Sequence, residues 1–237
     1  MAPGDDYVFQ AGDVKRFFPN LWFGLLVGVA AGLPNLSRNP PLDIRLGDIL
    51  VGLATGNSAG LIAYDLGKET GKDGVQLLHA GHVLANTETV VRSAIGSIKL
   101  RAPNDTTIFT QYYESVKNKD HSYDAFIDPG QERDTLYQLD EDGIERLVQR
   151  ERRPNSKRTQ VWYGSIGSGE KLIKDVRKRN ELRDKYNLIG LEMEAAGTMN
   201  RIPVGVIREF ATMEMNIKIK IGNHTLLQWL PPMPKQF

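Results

Sequence analysis

The amino-acid sequence predicts an α/β fold built on a central mixed, mainly parallel β-sheet with helices on both faces. Short apolar runs bounded by glycine or proline are typical of buried strands, and they alternate with stretches whose apolar residues recur at helical spacing. That alternation is the pattern of parallel strands joined by helices. With 41% hydrophobic residues among 237, the chain can bury a sizeable core, as one α/β domain or two small ones.

The first strand is predicted at Trp22 to Ala30, within the longest apolar run of the chain, Leu21 to Leu33. This run is shorter than the roughly 20 residues that a membrane span requires. Because Lys15 and Arg16 precede it, the run also has the form of a signal-peptide core. Pro19 interrupts that form, and a buried strand is the favoured interpretation.

Further elements follow in alternation, with one long polar excursion at residues 101–158 that is predicted to lie on the surface. In such folds ligands bind at the carboxyl ends of strands, where the connecting loops lie. The remaining strands are predicted at Asp48 to Leu53, Leu61 to Asp65, Gln160 to Ile166, Leu188 to Leu191 and Val204 to Arg208. Helices are predicted after Asn86 and Thr87, at Thr107 to Lys117, at Glu170 to Tyr186 and at Glu192 to Asn200.

Composition excludes several classes of function. The 30 Lys+Arg and 29 Asp+Glu residues leave a net charge of +1 with no block of like charge, so neither a nucleic acid nor an anionic membrane is indicated as a partner. The absence of cysteine excludes disulfides, thiolate catalysis and cysteine-ligated zinc, and it fits a reducing, cytoplasmic location. The four histidines lack metal-ligand spacing, so no metal site is expected.

Three strand ends are candidate ligand sites: Val29 to Gly32, Gly164 to Gly169 and Glu192 to Glu194. The first two are predicted as turns from a strand into a glycine-containing loop, whose backbone N–H groups can hold an anion or a ribose oxygen. Neither matches the GxGxxG pattern of dinucleotide-binding folds.

The two carboxylates of the third strand end allow two interpretations. Acidic residues favour helix N-termini because of the helix dipole, and Glu192 and Glu194 lie where an apolar strand meets the small residues of a helix start. Alternatively, one carboxylate binds two vicinal sugar hydroxyls, since both of its oxygens are acceptors. If the strand continues through them, the two side chains share a face; if a helix has begun, they diverge.

Several motifs, in a specific order and spacing, resemble the nucleoside phosphorylase superfamily, which includes purine and uridine phosphorylases and methylthioadenosine/adenosylhomocysteine nucleosidases. The resemblance is greatest to the branch found in filamentous fungi and extends from Phe17 to Arg208. The segments that carry it are Phe18–Gly28 (FPNLWFGLLVG), Asp43–Val51 (DIRLGDILV), Tyr64–Lys68 (YDLGK), Tyr163–Gly169 (YGSIGSG) and Leu191–Asn200 (LEMEAAGTMN).

The resemblance implies a three-layer αβα fold and cleavage of the N-glycosidic bond of a nucleoside, with a purine as the expected base. Phosphate or water would be the co-substrate, no cofactor would be needed, and a homo-oligomer would be compatible with the family. Glu194 would orient the ribose and stabilise the positive charge that develops on it. The site residues implied are Glu194 as the catalytic residue and, for substrate binding, Met193, Glu192, Ala30, Ala31, Gly32, Ser168, Glu170 and Leu172.

The sequence departs from this family after Arg208. Purine-cleaving relatives have an aspartate there that protonates the leaving base, whereas this chain continues Glu209-Phe-Ala-Thr-Met-Glu-Met-Asn216. A shifted reading frame after Arg208 permits the family's segment GICDYGD and an alanine-rich helix, which predicts a frameshift or a mis-joined exon over residues 209–237. Since residues 1–10 match nothing in the family, residues 11–208 would form a partial domain, incomplete at both ends.

Two functions stay open at this point. One is a nucleoside phosphorylase or nucleosidase with low or no activity, because the general acid is missing. The other is a non-catalytic nucleoside-binding or signalling module of the kind that precedes nucleotide-binding and repeat modules in fungal sensor proteins.

Overall fold

The computed structural model describes residues 13–54, 60–64, 67–70, 74–77, 89–101, 111–115, 130–140, 142–170, 173–199 and 202–211, with only the backbone at 67–70 and 74–77. These residues form two compact units. The first comprises the described residues before Thr107 and those from Arg153 onward, and the second lies within Thr107–Arg152.

The first unit is a mixed α/β structure around one six-stranded sheet, which confirms the predicted fold class. Four of the six strand pairings in this sheet are parallel and two are antiparallel. Among the described residues, the principal elements are β1 (Gly24–Gly32), β2 (Ile49–Gly52), β3 (Leu61–Ala63), β4 (Gly67–Thr70), β5 (Gly74–Leu77), α1 (Thr89–Leu100), β6 (Leu136–Leu139), β7 (Glu145–Val148), β8 (Val161–Ser168), α2 (Val176–Tyr186), β9 (Leu188–Glu192), α3 (Ala195–Met199) and β10 (Val204–Phe210).

The large sheet closes on itself because β8 changes neighbours along its length. The strand order is β2-β10-β1-β9-β8-β3, and β2 pairs in addition with β8. Residues Val161–Gly164 of β8 pair with β2, whereas Ser165–Ser168 pair with β9. A register irregularity between Ser165 and Ile166 marks the change, as bulges do where a strand bends away from a partner. The strands β2, β10, β1, β9 and β8 therefore form a closed ring, with β3 beside β8.

Two segments that were predicted to turn into glycine loops, Val29–Gly32 and Gly164–Gly169, lie in strands β1 and β8 instead, apart from the last residue of the second. The prediction of turns at these positions is wrong. The glycines make room for side chains of neighbouring strands: a Cβ at Gly167 would lie 2.6 Å from Leu191 Cδ2. A closed sheet brings such neighbours together, so glycine serves close packing here rather than a change of chain direction.

Gly190 and Gly96 offer a matched test of this packing. A Cβ at Gly190 on β9 would lie 2.6 Å from Leu50 Cδ1 and 3.1 Å from the Ala31 carbonyl oxygen, whereas a Cβ at Gly96 on α1 meets nothing within 4 Å. We expect Gly190→Ala to lower the free energy of unfolding by about 1–3 kcal/mol through overpacking. Gly96→Ala is expected to raise it by up to about 1 kcal/mol, since alanine favours helix. Urea denaturation of the full chain measures both, and a neutral or stabilising Gly190→Ala would contradict the packing.

The helix predicted from Glu170 begins later, at Val176, because a capping residue determines its start. The side chain of Asp175 accepts a hydrogen bond from the Lys178 backbone N–H at 2.9 Å, which satisfies one of the unpaired donors of the first turn. Among the described residues, no helix has the length and apolar character needed to cross a membrane.

Helices α1 and α2 each pack an apolar side against the sheet, as their sequence periodicity predicts. In α1 the buried residues are Val91 and Ile95, which join Val51 of β2 in one cluster. In α2 the buried residue is Leu182. It belongs to a second cluster, which comprises Ala31, Leu33, Tyr64, Leu182, Leu188 and Leu191.

The second unit contains a β-hairpin that the polar sequence of residues 101–158 did not predict. Strands β6 and β7 pair antiparallel, and Gly143, with φ 77°, lies in their connecting turn. The carboxylate of Asp140 accepts the backbone N–H of Asp142 at 3.0 Å and that of Ile144 at 2.8 Å. A hydrogen bond from Arg146 and these turn contacts hold the pKa of Asp140 below its ordinary value. Of the helix predicted at 107–117, residues 111–115 are described, and they are helical.

In the first unit, the buried carboxylate of Asp48 joins the start of β2 to the start of β8. It accepts hydrogen bonds from the Arg153 guanidinium at 2.7 and 3.0 Å and from the Trp162 indole N–H at 2.8 Å. The backbone N–H groups of Arg45 and Gln160 each donate to it at 2.8 Å. Since Arg153 and Asp48 are 105 residues apart in the chain, this carboxylate holds distant segments in register.

Candidate functional site

The candidate site lies where β8, β9 and β10 bring polar side chains together in the closed sheet. Ser168 ends β8, Glu192 ends β9, and these two residues are register partners. Arg208 on β10 is the register partner of Gly28 on β1. Ser168, Glu192 and Arg208 are all buried, at 0%, 1% and 3% exposure. Such burial is unusual for the charged side chains of Glu192 and Arg208 unless they are paired.

Glu192 is the acid at the helix N-terminus, as one of the two sequence interpretations predicted. Its Oε2 accepts the backbone N–H of Glu194 at 3.1 Å, and the backbone N–H of Ala195 lies 3.2 and 3.0 Å from its two oxygens. The apolar pattern had predicted that this helix begins at Glu192, but helix α3 begins at Ala195. Glu192 also forms an ion pair with Arg208, so both of its oxygens are used within the protein.

Arg208 connects the two glutamates. Its Nη2 atom contacts Glu192 Oε2 and lies 2.8 Å from Glu194 Oε2. Its Nε atom is buried and has no hydrogen-bond partner among the described residues. Gly28 gives the guanidinium its space, because a Cβ at that position would collide with Arg208 Nη1.

Glu194 is the most exposed member of this cluster, although its Oε2 atom is buried against Arg208. The strand has ended before it, and its side chain is 21% exposed, whereas that of Glu192 is fully buried. Burial raises the pKa of the Glu194 carboxyl above its ordinary value; the positive charge of Arg208 opposes the rise, and the negative charge of Glu192 adds to it. The two glutamates therefore diverge in environment: one anchors a helix, and the other faces partly outward.

The other predicted site residues are distributed unevenly around this cluster. Ser168 belongs to it, since its Oγ accepts the backbone N–H of Ala196 at 2.8 Å at the start of α3. Ala30 shares a strand face with Gly28 and is buried, whereas Ala31 faces the apolar cluster around α2. A Cβ at Gly32 would lie 2.8–2.9 Å from the Phe210 ring. Met193 is half-buried, Glu170 is exposed, and Leu172 lies outside the described residues.

Arg208 and Gly28 are the site residues that sequence reasoning missed. Gly28 ends the first motif that carries the family resemblance, and Arg208 is the last residue over which the resemblance extends, but in the strand pattern each was counted only as part of an apolar run. The available signal was an arginine at the end of the run Val204 to Arg208, because a charge within a buried strand requires a partner.

The arrangement is suited to accepting hydroxyl groups of a ligand. A partly exposed carboxylate beside a buried guanidinium offers oxygen acceptors of defined orientation. Within the described ranges, no group of three or more His, Cys, Asp or Glu side chains is placed to bind a metal.

Comparison with known proteins gives one sequence relative and several structural neighbours, while no protein-family model matches the chain. A nucleotide-binding leucine-rich repeat (NLR)-like protein of Hyaloscypha variabilis is 35% identical over 201 residues, which are 82% of this chain. The chain spans 19% of the length of that relative.

The structural neighbours are nucleosidases. A futalosine hydrolase mutant of Helicobacter pylori strain 26695 has a TM-score of 0.46 at 13% identity, covering 89% of this chain and 66% of that one. The 5′-methylthioadenosine/S-adenosylhomocysteine nucleosidase of Campylobacter jejuni has a TM-score of 0.45 at 14% identity, covering 91% and 69%. The corresponding Helicobacter pylori nucleosidase, with butyl-thio-DADMe-Immucillin-A, has a TM-score of 0.46 at 12% identity, covering 89% and 63%.

Proposed function

We propose that this protein binds a nucleoside, with the Glu194 carboxylate accepting hydrogen bonds from the vicinal hydroxyls of the ribose. The observation that carries the proposal is the contrast between the two glutamates. Glu192 is fully buried and engaged with a helix start and Arg208, whereas the Glu194 side chain is 21% exposed, with its Oε2 atom buried against Arg208. A purine is the expected base on the resemblance, with phosphate or water as co-substrate and no cofactor.

The parent reaction would be cleavage of the N-glycosidic bond, and Glu194 would contribute to it electrostatically. As the base departs, positive charge develops on the sugar. A carboxylate held against the ribose therefore stabilises the charged transition state more than it stabilises the ground state. The base also needs a proton from a general acid. Glu209 follows Arg208 but points to the opposite face of β10, so it does not replace the aspartate of the family.

We therefore expect nucleoside binding with little or no turnover. Loss of a general acid costs typically about 10²–10⁴-fold in rate. Base release from adenosine and inosine, followed by chromatography with and without phosphate, measures turnover, and calorimetric titration with adenosine measures binding. Binding of adenosine but not of 2′,3′-dideoxyadenosine would support the role of the ribose hydroxyls. Equal binding of the two compounds, or binding of neither, would refute it.

A second function is a nucleoside-binding signalling module without catalysis. The observation that favours it is the NLR-like relative, of which this chain matches a small part. The same binding and turnover measurements on the homologous part of that relative test this function. Measurable adenosine binding without base release in both proteins would favour a signalling module without catalysis. Base release by either protein at a rate typical of enzymes, on the order of 1 per second or more, would favour the enzyme.

We also propose that residues 209–237 are translated out of the ancestral frame, so that 11–208 is the part of the chain that corresponds to the family. The basis is the restored segment GICDYGD, whose aspartate would supply the general acid. Sequencing the transcript across Arg208 tests this. An intact frame through Glu209, with no splice form that restores the segment, would refute it. A restored-frame protein should release base faster than the present chain.

A further inference from the structure

One guanidinium lies between two carboxylates at the candidate site, and the two carboxylates are held very differently. Arg208 Nη2 contacts both Glu192 Oε2 and Glu194 Oε2. Glu192 is fixed from the other side by the backbone N–H groups of Glu194 and Ala195. Glu194 Oε2, in contrast, has no hydrogen-bond partner of good geometry among the described residues, and its contact with Arg208 is an ion pair at 2.8 Å.

We propose that Arg208 is a positioning residue for Glu194: anchored by Glu192 and lying against Gly28, its guanidinium fixes where the Glu194 carboxylate meets a ligand's hydroxyl groups. The identity of those hydroxyls as ribose rests on the proposed function, whereas the positioning itself rests on the cluster. Glu192 acts on Glu194 through Arg208, through its negative charge and by accepting the backbone N–H of Glu194.

Gly28 contributes to the positioning of Glu194 because it determines where the Arg208 guanidinium can lie. Gly28 and Arg208 are register partners on adjacent parallel strands, and their positions face the same side. A Cβ at position 28 would collide with Nη1, so any other residue there displaces Arg208. Gly28→Ala therefore perturbs the positioning without removing any charge.

The cluster carries one positive and two negative groups, so the charge state of Glu194 is sensitive to each of them. Among the described residues, the charged groups that face Glu194 are Arg208 on β10 and Glu192 on β9, while β8 contributes the uncharged Ser168 and α3 contributes no ionisable side chain. Burial and Glu192 raise the pKa of Glu194 and Arg208 lowers it. Removing Arg208 and removing the charge of Glu192 must therefore have opposite effects.

The test is the titration of the Glu194 carboxyl carbon, followed by NMR in the full chain labelled with ¹³C-glutamate and assigned by its loss in Glu194→Gln. We expect Arg208→Met to raise the titration midpoint by about one pH unit or more, since a nearby opposite charge lowers a carboxyl pKa by that amount. Glu192→Gln should lower the midpoint, and Gly28→Ala should raise it with all charges kept. Glu209→Gln, on the opposite face of β10, should leave it unchanged.

Arg208→Lys and adenosine binding complete the test. Lysine keeps the charge but not the planar group that spans two carboxylates. The titration midpoint of Glu194 in Arg208→Lys should therefore lie closer to the wild-type value than in Arg208→Met, whereas only part of the adenosine affinity should be recovered. If Arg208→Met fails to fold, the Lys and Gly28→Ala variants decide. An unchanged midpoint in Gly28→Ala together with wild-type adenosine affinity in Arg208→Lys would overturn the proposal. If the variants show the expected midpoint shifts but the wild-type protein binds no adenosine, only the proposed function is contradicted.

Discussion

Replacing Glu194 by Gln is expected to weaken adenosine binding by about 10- to 100-fold, the largest effect of any substitution at the site. A hydrogen bond to a charged group contributes about 1.5–3 kcal/mol, and each 1.4 kcal/mol is tenfold in affinity. The amide retains one acceptor oxygen but places donors where the second oxygen accepted a hydroxyl. Calorimetric titration with adenosine near pH 7.5 measures the change.

The matched control is Glu192→Gln, which should reduce adenosine affinity less. The amide oxygen of Gln can still accept the Ala195 backbone N–H, and this residue touches no ligand in the proposed arrangement. Similar, small losses of adenosine affinity in both variants would indicate that Glu194 is only an acidic residue near a helix start, and they would refute the proposal that it binds ribose.

The same carboxyl predicts the pH dependence of binding. Because burial raises the pKa of Glu194, protonation begins at a higher pH than for an ordinary glutamate. The protonated group loses acceptor capacity, so adenosine affinity should fall as the pH is lowered, starting above the ordinary range of a glutamate. Glu194→Gln should remove this dependence, and an affinity that is flat with pH in the wild-type protein would contradict it.

Replacing Asp48 by Asn is expected to lower the free energy of unfolding by about 3–5 kcal/mol, the largest effect outside the site. The substitution leaves the buried guanidinium of Arg153 without its counter-charge, and breaking one side of a buried pair has a cost of this size. The amide also turns one oxygen acceptor into a donor that faces the Trp162 indole N–H or the Arg153 guanidinium. Urea denaturation of the full chain measures the loss.

Arg152→Gln provides the control for this prediction. It removes an ion pair with Glu132 in which the two side chains are 74% and 65% exposed, and such pairs contribute at most about 1 kcal/mol. A loss for Asp48→Asn no greater than that for Arg152→Gln would show that the buried carboxylate does not hold β2 and β8 together.

The local pattern of the sequence was sufficient to locate the strands of the large sheet, because they coincide with short apolar runs, although Leu25, Val27 and Val29 of β1 are exposed and strands β4 and β5 were not predicted. The strands at Gly24–Gly32, Leu188–Glu192 and Val204–Phe210 agree with the apolar runs to within two residues at each end. The β6–β7 hairpin was missed because its turn depends on Asp140 contacts within a polar stretch that shows no apolar alternation.

By itself, the sequence determined the α/β class, the net charge of only +1, the lack of cysteine chemistry and Glu194 as the carboxylate to test. The tertiary structure alone decided that the sheet closes, that the glycines of β1 and β8 serve packing, and that Arg208 lies between two glutamates. The physical reason is the distance along the chain between the residues that interact. Periodicity and capping act over a few residues, whereas the Gly28–Arg208 register and the Asp48–Arg153 pair join residues far apart in the chain. Such contacts depend on which strands become neighbours, and no local pattern contains that information.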